Sequence, residues 1–106
     1  ARVVRSNPRK QAQLSAAPRQ IELWFNELLD EGFNSVDIFA AAQADAKQRP
    51  SFKQGDAQVD PKDRTHLFVA IQPLPPGEYV VEWRVLSRDG HSAPGRLSFR
   101  VLDSTK

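Results

Sequence analysis

The chain has 106 residues and a mass of 11.9 kDa, with 15 basic and 13 acidic residues, a net charge of +2 and a pI of about 9.3. It contains no cysteine and no methionine, which excludes disulfide scaffolds, zinc–thiolate sites, thiol nucleophiles and a thioether site for Cu(I). The length fits one domain spanning 1–106, and no apolar run approaches the ~20 residues of a transmembrane helix. Because a primary translation product begins with methionine, we expect a chain trimmed at its start, with no targeting segment left.

The first segment, 1–19, contains basic residues but no acidic residue. Val3 and Val4 within 2–6 predict a short first strand, so the simplest interpretation of these charges is a solvated strand and loop. An arm that binds a polyanion or a lipid headgroup is the alternative. No aromatic residue interleaves the charges, which argues against binding of single-stranded nucleic acid. The basic residues are Arg2, Arg5, Arg9, Lys10 and Arg19.

Five later segments alternate apolar and polar residues with a period of two, which predicts half-buried strands. The glycines and most prolines fall between them, where turns are expected. Of the connecting segments, 26–31 is compatible with one helical turn, and the polar segment 42–61 with a long loop or a poor edge strand. This number of strands without a long helix predicts an all-β fold, either a β-sandwich or a Greek-key barrel. The five segments are 20–26, 35–41, 65–72, 78–87 and 96–102.

The tripeptide Asp89-Gly90-His91 follows a strong predicted strand. Because Gly90 permits a tight turn, the carboxylate and the imidazole on either side of it can be directed toward one point. Such O and N donors suit a divalent ion, including Cu(II). Asp-Gly is also a common turn dipeptide, so a turn without a bound metal is the alternative. Since two ligands are too few for Cu(II), Glu27 and the α-amino group of Ala1 are further candidates.

The other histidine, His66, lies in the middle of a predicted strand, on the face opposite the core. We expect it to be exposed or at the rim, as histidines commonly are. The sequence has no nucleophile elbow, no glycine-rich phosphate loop and no HExxH motif. The 13 acidic residues leave acid–base catalysis by a pair of carboxylates open, although nothing in their spacing singles out such a pair.

The stretch Tyr79-Val-Val-Glu-Trp-Arg-Val-Leu-Ser-Arg-Asp-Gly-His91, followed by Gly95, Phe99 and Val101, resembles the closing third of CopC proteins. These are periplasmic copper-binding proteins of bacterial copper resistance and homeostasis. The resemblance spans nearly the whole chain and leaves only about 42–61 unaligned. Further matches are Val4, Ser6 and Pro8 in the first strand, Ala17-Pro18, Ile21 to Leu23, Phe25 and Glu27 around the second, and Leu74 to Gly77 before the Tyr79 strand.

The resemblance implies an Ig-like Greek-key barrel or sandwich of about seven strands that binds copper and catalyses no reaction. It implies that Asp89 and His91 are copper ligands, that Glu27 is a ligand or supports one, and that the chain start contributes its amine. It further implies a periplasmic protein whose partner is an inner-membrane copper transporter of the CopD type. We expect a monomer that binds no nucleic acid and does not insert into a membrane.

The start of the chain departs from the family pattern. A CopC site is led by an amino-terminal histidine, which would fall one place ahead of Ala1 when Pro8 is matched to the family's proline. Either the natural mature protein begins with that histidine, or the ligand is missing and the site is weakened. The second departure is the absence of methionine, which predicts a Cu(II)-only member without the Cu(I) site that some CopC proteins carry.

Three functions are therefore compared. The first is a periplasmic protein that buffers Cu(II) or delivers it to a membrane partner. The second is a metal-free β-sandwich interaction module, which would bind a partner through the basic residues of 2–19 or through an edge strand. The third is a copper redox enzyme with a histidine brace, which ranks lowest because an aspartate in the coordination sphere leaves less room for oxygen or substrate.

Overall fold

The computed structural model describes residues 2–30, 34–43 and 51–102. Its regular structure consists almost entirely of strands, and a single turn of 3-10 helix, Ala41–Gln43, follows the fourth strand. Within these ranges, no helix is long and apolar enough to cross a membrane. The strands are β1 (Val3–Asn7), β2 (Gln13–Leu14), β3 (Gln20–Phe25), β4 (Ser35–Ala40), β5 (Gln58–Asp60), β6 (Asp63–Ala70), β7 (Gly77–Leu86) and β8 (Ser92–Val101).

The strands form two four-stranded sheets. One sheet has the order β1-β3-β6-β5 and is antiparallel throughout. The other has the order β2-β8-β7-β4 and is antiparallel except for the parallel β2–β8 pair. The chain changes sheet at every connection except the two hairpins β5–β6 and β7–β8, which each stay within one sheet. The predicted all-β sandwich is confirmed, and the two sheets of the described residues do not close into a barrel.

The core lies between the sheets and is filled by the apolar faces that the period-two pattern predicts. Along β3, for example, Ile21, Leu23 and Phe25 are at most 3% exposed, while their neighbours in the strand point outward. Burying one such side chain contributes about 1.5–3 kcal/mol to the free energy of folding. The other buried apolar residues of this cluster are Leu29, Val36, Ile38, Leu67, Val69, Ile71, Leu74, Tyr79, Val81, Val85, Leu97, Phe99 and Val101.

The helical turn predicted for 26–31 is wrong for the part that the structure describes. Leu29 instead forms an antiparallel bridge with Ser87, just after β7, and the Asp30 N–H donates to the Leu86 carbonyl over 2.8 Å. Leu29 is completely buried in the core. The extended backbone is preferred because it buries this side chain and pairs with the backbone next to β7, which a single isolated helical turn would not do. Glu31 lies outside the described residues.

The largest difference from the predicted strand boundaries is at the start of β8. Strand β8 begins at Ser92 and not at 96. Pro94 and Gly95, for which a loop was expected, pair with β7. A proline is tolerated there because β2 borders β8 only near Arg100, so no strand needs the missing N–H. The short β2 was not predicted, since two residues carry no periodicity. In the segment 42–61, the expected poor edge strand is present as β5, while 44–50 lies outside the described residues.

Candidate metal centre

The turn between β7 and β8 holds the Asp-Gly-His tripeptide. The N–H of Ser87 donates to the His91 carbonyl over 3.0 Å, and the Gly90 N–H donates to the Ser87 carbonyl over 2.9 Å. Gly90 has a φ of +92°, a backbone conformation that residues with a Cβ rarely adopt. As a result, Nδ1 of His91 lies 3.2 Å from Oδ2 of Asp89. The structure therefore brings these two predicted ligands together.

Hydrogen bonds keep Asp89 in its ionised form. The hydroxyl of the buried Ser87 donates to Oδ1 of Asp89, and this bond is the main reason why the pKa of Asp89 lies below its ordinary value. The backbone N–H of His91 and the nearby imidazole lower this pKa further. The side chains of Asp89 and His91 are 54% and 80% exposed. A carboxylate and an imidazole are thus positioned side by side and accessible from solvent.

Glu27 lies at the same end of the sandwich as this turn. The segment that follows β3 runs beside the turn, because the Arg88 N–H donates to the Leu28 carbonyl over 3.0 Å. A concavity of about 240 Å³ between the two segments is lined by Glu27, Leu28, Ser87, Arg88 and Asp89. Glu27 and Asp89 therefore share one concave surface.

The first described residue of the chain is attached at this end as well. The Arg2 N–H donates to Oδ1 of Asn26 over 2.9 Å, and the Asn26 N–H donates to the Arg2 carbonyl over 3.0 Å. Asn26 directly precedes Glu27, so the chain enters β1 next to the concave surface. Ala1, the remaining predicted ligand, lies outside the described residues.

Across the three described ranges, no group of three or more histidine, aspartate or glutamate side chains is arranged to hold a metal ion. The described residues supply the close Asp89–His91 pair, with Glu27 across the concavity. Cu(II) prefers more donors than such a pair provides, in a tetragonal arrangement of N and O ligands. The residues are of the right chemical type for Cu(II), but their described arrangement is not a complete coordination sphere.

The second histidine lies in a different environment. His66 occupies the outer face of β6 as predicted. Of the two expected environments, exposed or at the rim, the exposed one is wrong, because only 12% of its side chain is exposed. Trp24, its cross-strand partner on β3, stacks on the ring at 4.4 Å with an interplanar angle of 3°. The ring nitrogens lie 3.0 Å from Oε2 of Glu22 and 3.2 Å from Oδ2 of Asp60. The sequence alone does not predict this cluster of three ionisable groups, since it depends on how both β3 and β5 pair with β6.

The model of the CopC domain family matches residues 3–102. The chain belongs to the CopC family. It is 35% identical to protein YobA of Escherichia coli over 95 residues, which cover 89% of this chain and 72% of YobA. It is 29% identical to copper resistance protein C of Pseudomonas syringae over 100 residues, which cover 94% of this chain and 79% of that protein. The family resemblance inferred from the sequence is confirmed.

The fold of this CopC-family chain agrees with a solved structure of the family. The crystal structure of CopC from Methylosinus trichosporium matches it with a TM-score of 0.85. The match covers 98% of this chain and 95% of that one, at 24% sequence identity. The two chains therefore share the same sandwich over nearly their whole length.

Proposed function

We propose that this CopC-family chain binds Cu(II) at the end of the sandwich where the β7–β8 turn, the segment after β3 and the start of β1 meet. The observation that carries the proposal is the 3.2 Å contact between His91 and Asp89 in a solvent-exposed turn. Membership of a family that includes a copper resistance protein supports copper as the ion. Asp89 and His91 are the proposed ligands, with the Ala1 amine as a third and Glu27 as a ligand or a group that supports one.

The available donors favour Cu(II) over Cu(I). Asp89 is a hard carboxylate donor whose hydrogen bonds hold its pKa below the ordinary value, and the imidazole of His91 is a borderline nitrogen donor. The sequence contains no cysteine or methionine that could form a soft Cu(I) site. We therefore propose a Cu(II)-only member of the family. Tight, thioether-type binding of Cu(I) by this chain in a competition assay would contradict this part.

The proposed role is to buffer copper or to deliver it, with copper as cargo and no reaction catalysed. We place the protein in the periplasm, as a monomer of one domain, with an inner-membrane copper transporter of the CopD type as its partner. The support for this setting is the family membership. Recovery of the native protein from the cytoplasmic fraction of its own cells would contradict the periplasmic placement.

Electron paramagnetic resonance during Cu(II) titration tests the ligand assignment. We expect a type 2 signal with nitrogen coupling, which weakens in Asp89→Ala and loses its imidazole coupling in His91→Ala. Asp56→Ala is the matched control, because this carboxylate is exposed and precedes β5 in the other sheet. An unchanged spectrum in both ligand variants would show that the copper site lies elsewhere.

A metal-free interaction module is the second candidate function. It is favoured by the finding that, in the described parts of the chain, no three histidine, aspartate or glutamate side chains are arranged to hold a metal ion. A variant with a histidine added ahead of Ala1 separates the two functions, because it supplies both an imidazole and an amine at the proposed site. We expect this variant to bind Cu(II) more tightly than the unmodified chain. Failure of both chains to bind Cu(II) would favour the interaction module.

A further inference from the structure

A groove runs along β1, between this edge strand and the facing strands β7 and β8. We call it the β1 groove; its volume is about 570 Å³, and its apolar lining includes Val3, Trp83 and Leu97. The indole of Trp83 lies directly on Gly95, where an added Cβ would come within 2.6 Å of Cζ2. The indole also packs edge-on against Phe25, with 6.4 Å between ring centres. These contacts give the groove a fixed apolar floor.

The side chains around this floor are basic. Two of them direct their charge elsewhere: the Arg5 guanidinium lies 4.7 Å from the centre of the Trp24 ring on the outer face of β3, and Arg96 donates to Oε2 of Glu82 over 2.6 Å. Among the described residues, the unpaired positive charge of the groove therefore comes from Arg9 and Lys10. The residues that line the groove include no aspartate or glutamate. The basic residues that line it are Arg5, Arg9, Lys10 and Arg96.

The positive charge of two of these side chains is not neutralised within the described part of the chain. Arg9 and Lys10 are exposed, and neither has a carboxylate within 4.0 Å there. Both follow Pro8, which is buried and fixes the position of the turn after β1. A concave surface with one sign of charge concentrates the electric field and attracts ligands of the opposite sign. The groove is therefore complementary to an anionic partner.

The shape of β1 indicates how such a partner would bind. The register of β1 against β3 shifts between Val3 and Arg5, and the intervening Val4 is 58% exposed. A bulge of this kind on an edge strand disrupts the regular row of hydrogen-bonding groups and so opposes the addition of another strand. We therefore expect contacts through side chains, with apolar groups on the floor and acidic groups at the rim.

We propose that the β1 groove binds an extended acidic segment of a partner protein, in which carboxylates alternate with apolar side chains. An apolar floor beneath a charged rim is the arrangement of protein interfaces, where a buried apolar anchor is surrounded by polar contacts. A nucleic acid backbone would leave the floor of Val3, Trp83 and Leu97 without an apolar partner. A concave groove also offers less contact to a flat lipid surface than to a chain laid along it.

The position of the groove near the candidate metal centre suggests a role for the partner segment. Val3 is one end of the groove lining, and the preceding residue, Arg2, is paired with Asn26 beside the candidate metal centre. A segment seated in the groove would extend toward that end of the sandwich. This part of the inference rests on the proposed function: a protein that exchanges copper with this chain would dock along β1.

Fluorescence anisotropy with a labelled peptide tests the proposal on the copper-free chain, so that the result does not depend on copper binding. The probe is a short peptide in which glutamate alternates with leucine, and the comparison peptide has glutamine in place of glutamate. We expect the glutamate peptide to bind at low ionic strength and to be released by salt, since exposed charges are screened. Equal binding of the glutamine peptide would overturn the requirement for acidic groups.

Two charge-reversal variants distinguish an effect of the groove residues on peptide binding from an effect of the net charge. The groove variant combines Arg9→Glu with Lys10→Glu, and the control combines Arg19→Glu with Lys62→Glu, which are exposed basic residues outside the groove lining. Both variants change the net charge equally. We expect the groove variant to weaken peptide binding about tenfold or more, because like charges would face each other, and the control to weaken it much less. Equal losses would overturn the proposal.

Two further measurements complete the test. In NMR spectra, the glutamate peptide should shift amide signals of 3–10 and 96–97 more than those of β5, and the opposite pattern would contradict the assigned groove. Binding of phosphatidylglycerol vesicles or duplex DNA without any binding of the peptide would overturn the choice of a protein partner. The Cu(II) spectrum of the groove variant should match that of the unmodified chain. A failure of the proposed copper binding would therefore be distinguished from a failure of peptide binding in the groove.

Discussion

The two histidines of the chain stand beside carboxylates in very different environments. His91 lies in the turn after β7, its side chain is 80% exposed, and one ring nitrogen contacts Asp89. His66 lies in the middle of β6, is 12% exposed, and has a carboxylate at each ring nitrogen. Its ring is covered by Trp24. The same residue types thus form an accessible pair in one place and an enclosed cluster in the other.

This difference shows that the chemistry of the donors alone does not identify a metal site. At His66, an incoming ion would have to displace Glu22 or Asp60 from a ring nitrogen of a side chain that is only 12% exposed. At His91, the ion meets an exposed imidazole beside the ionised Asp89. Access and existing hydrogen bonds decide between a binding role and a structural one. We therefore expect substitutions of the two histidines to have opposite effects on copper affinity and on stability.

The largest expected effect is on copper affinity. His91→Ala removes a proposed ligand and should weaken Cu(II) binding by at least about tenfold, as losses at or next to metal ligands commonly do. His66→Ala is the matched control and should leave the affinity unchanged. Competition titration with a chelator of known Cu(II) affinity measures both variants. A larger loss in His66→Ala than in His91→Ala would reverse the comparison and move the copper site to the outer face of β6.

The next effect is on the free energy of unfolding. His66→Ala leaves the carboxylates of Glu22 and Asp60 without their common partner and uncovers one face of Trp24, so we expect a loss of about 1–3 kcal/mol. His91→Ala removes an exposed side chain and should change stability by no more than about 0.5 kcal/mol. Urea unfolding of the copper-free proteins near neutral pH gives both values. Equal midpoints for the two variants would mean that the His66 cluster contributes nothing to stability.

The extent to which sequence predicts this molecule depends on how local each feature is. The alternation along β3, β6 and β8 is local and gave the strands and their buried faces, and the spacing in Asp89-Gly90-His91 was enough to expect convergence in a turn. The stacking of Trp24 on His66 requires the register of two strands that are distant in sequence. The β1 groove requires the position of one sheet relative to the other. Leu29 was misassigned because its bridge to Ser87 is also a long-range contact.

The smallest expected effect is on the pKa of Asp89, and Asp60 is the aspartate used for comparison. The pKa of each lies below its ordinary value, but the main cause is the Ser87 hydroxyl for Asp89 and the backbone N–H of Lys62 for Asp60. Ser87→Ala should therefore raise the pKa of Asp89 toward 3.8 and leave that of Asp60 unchanged, as measured by carbon-13 NMR of the copper-free protein.

The sign of the accompanying stability change follows from linkage. A carboxyl group whose pKa is lower in the folded state stabilises the fold above its ordinary pKa, and this contribution is lost as the pH falls through the folded-state value. Since Ser87→Ala removes the main cause of the lowered pKa of Asp89, the stability difference between the unmodified chain and the variant should shrink below about pH 4. Urea midpoints measured from neutral to acidic pH test this. A difference that grows on acidification, or an equal shift in the titration of Asp60, would show that Ser87 does not act through Asp89.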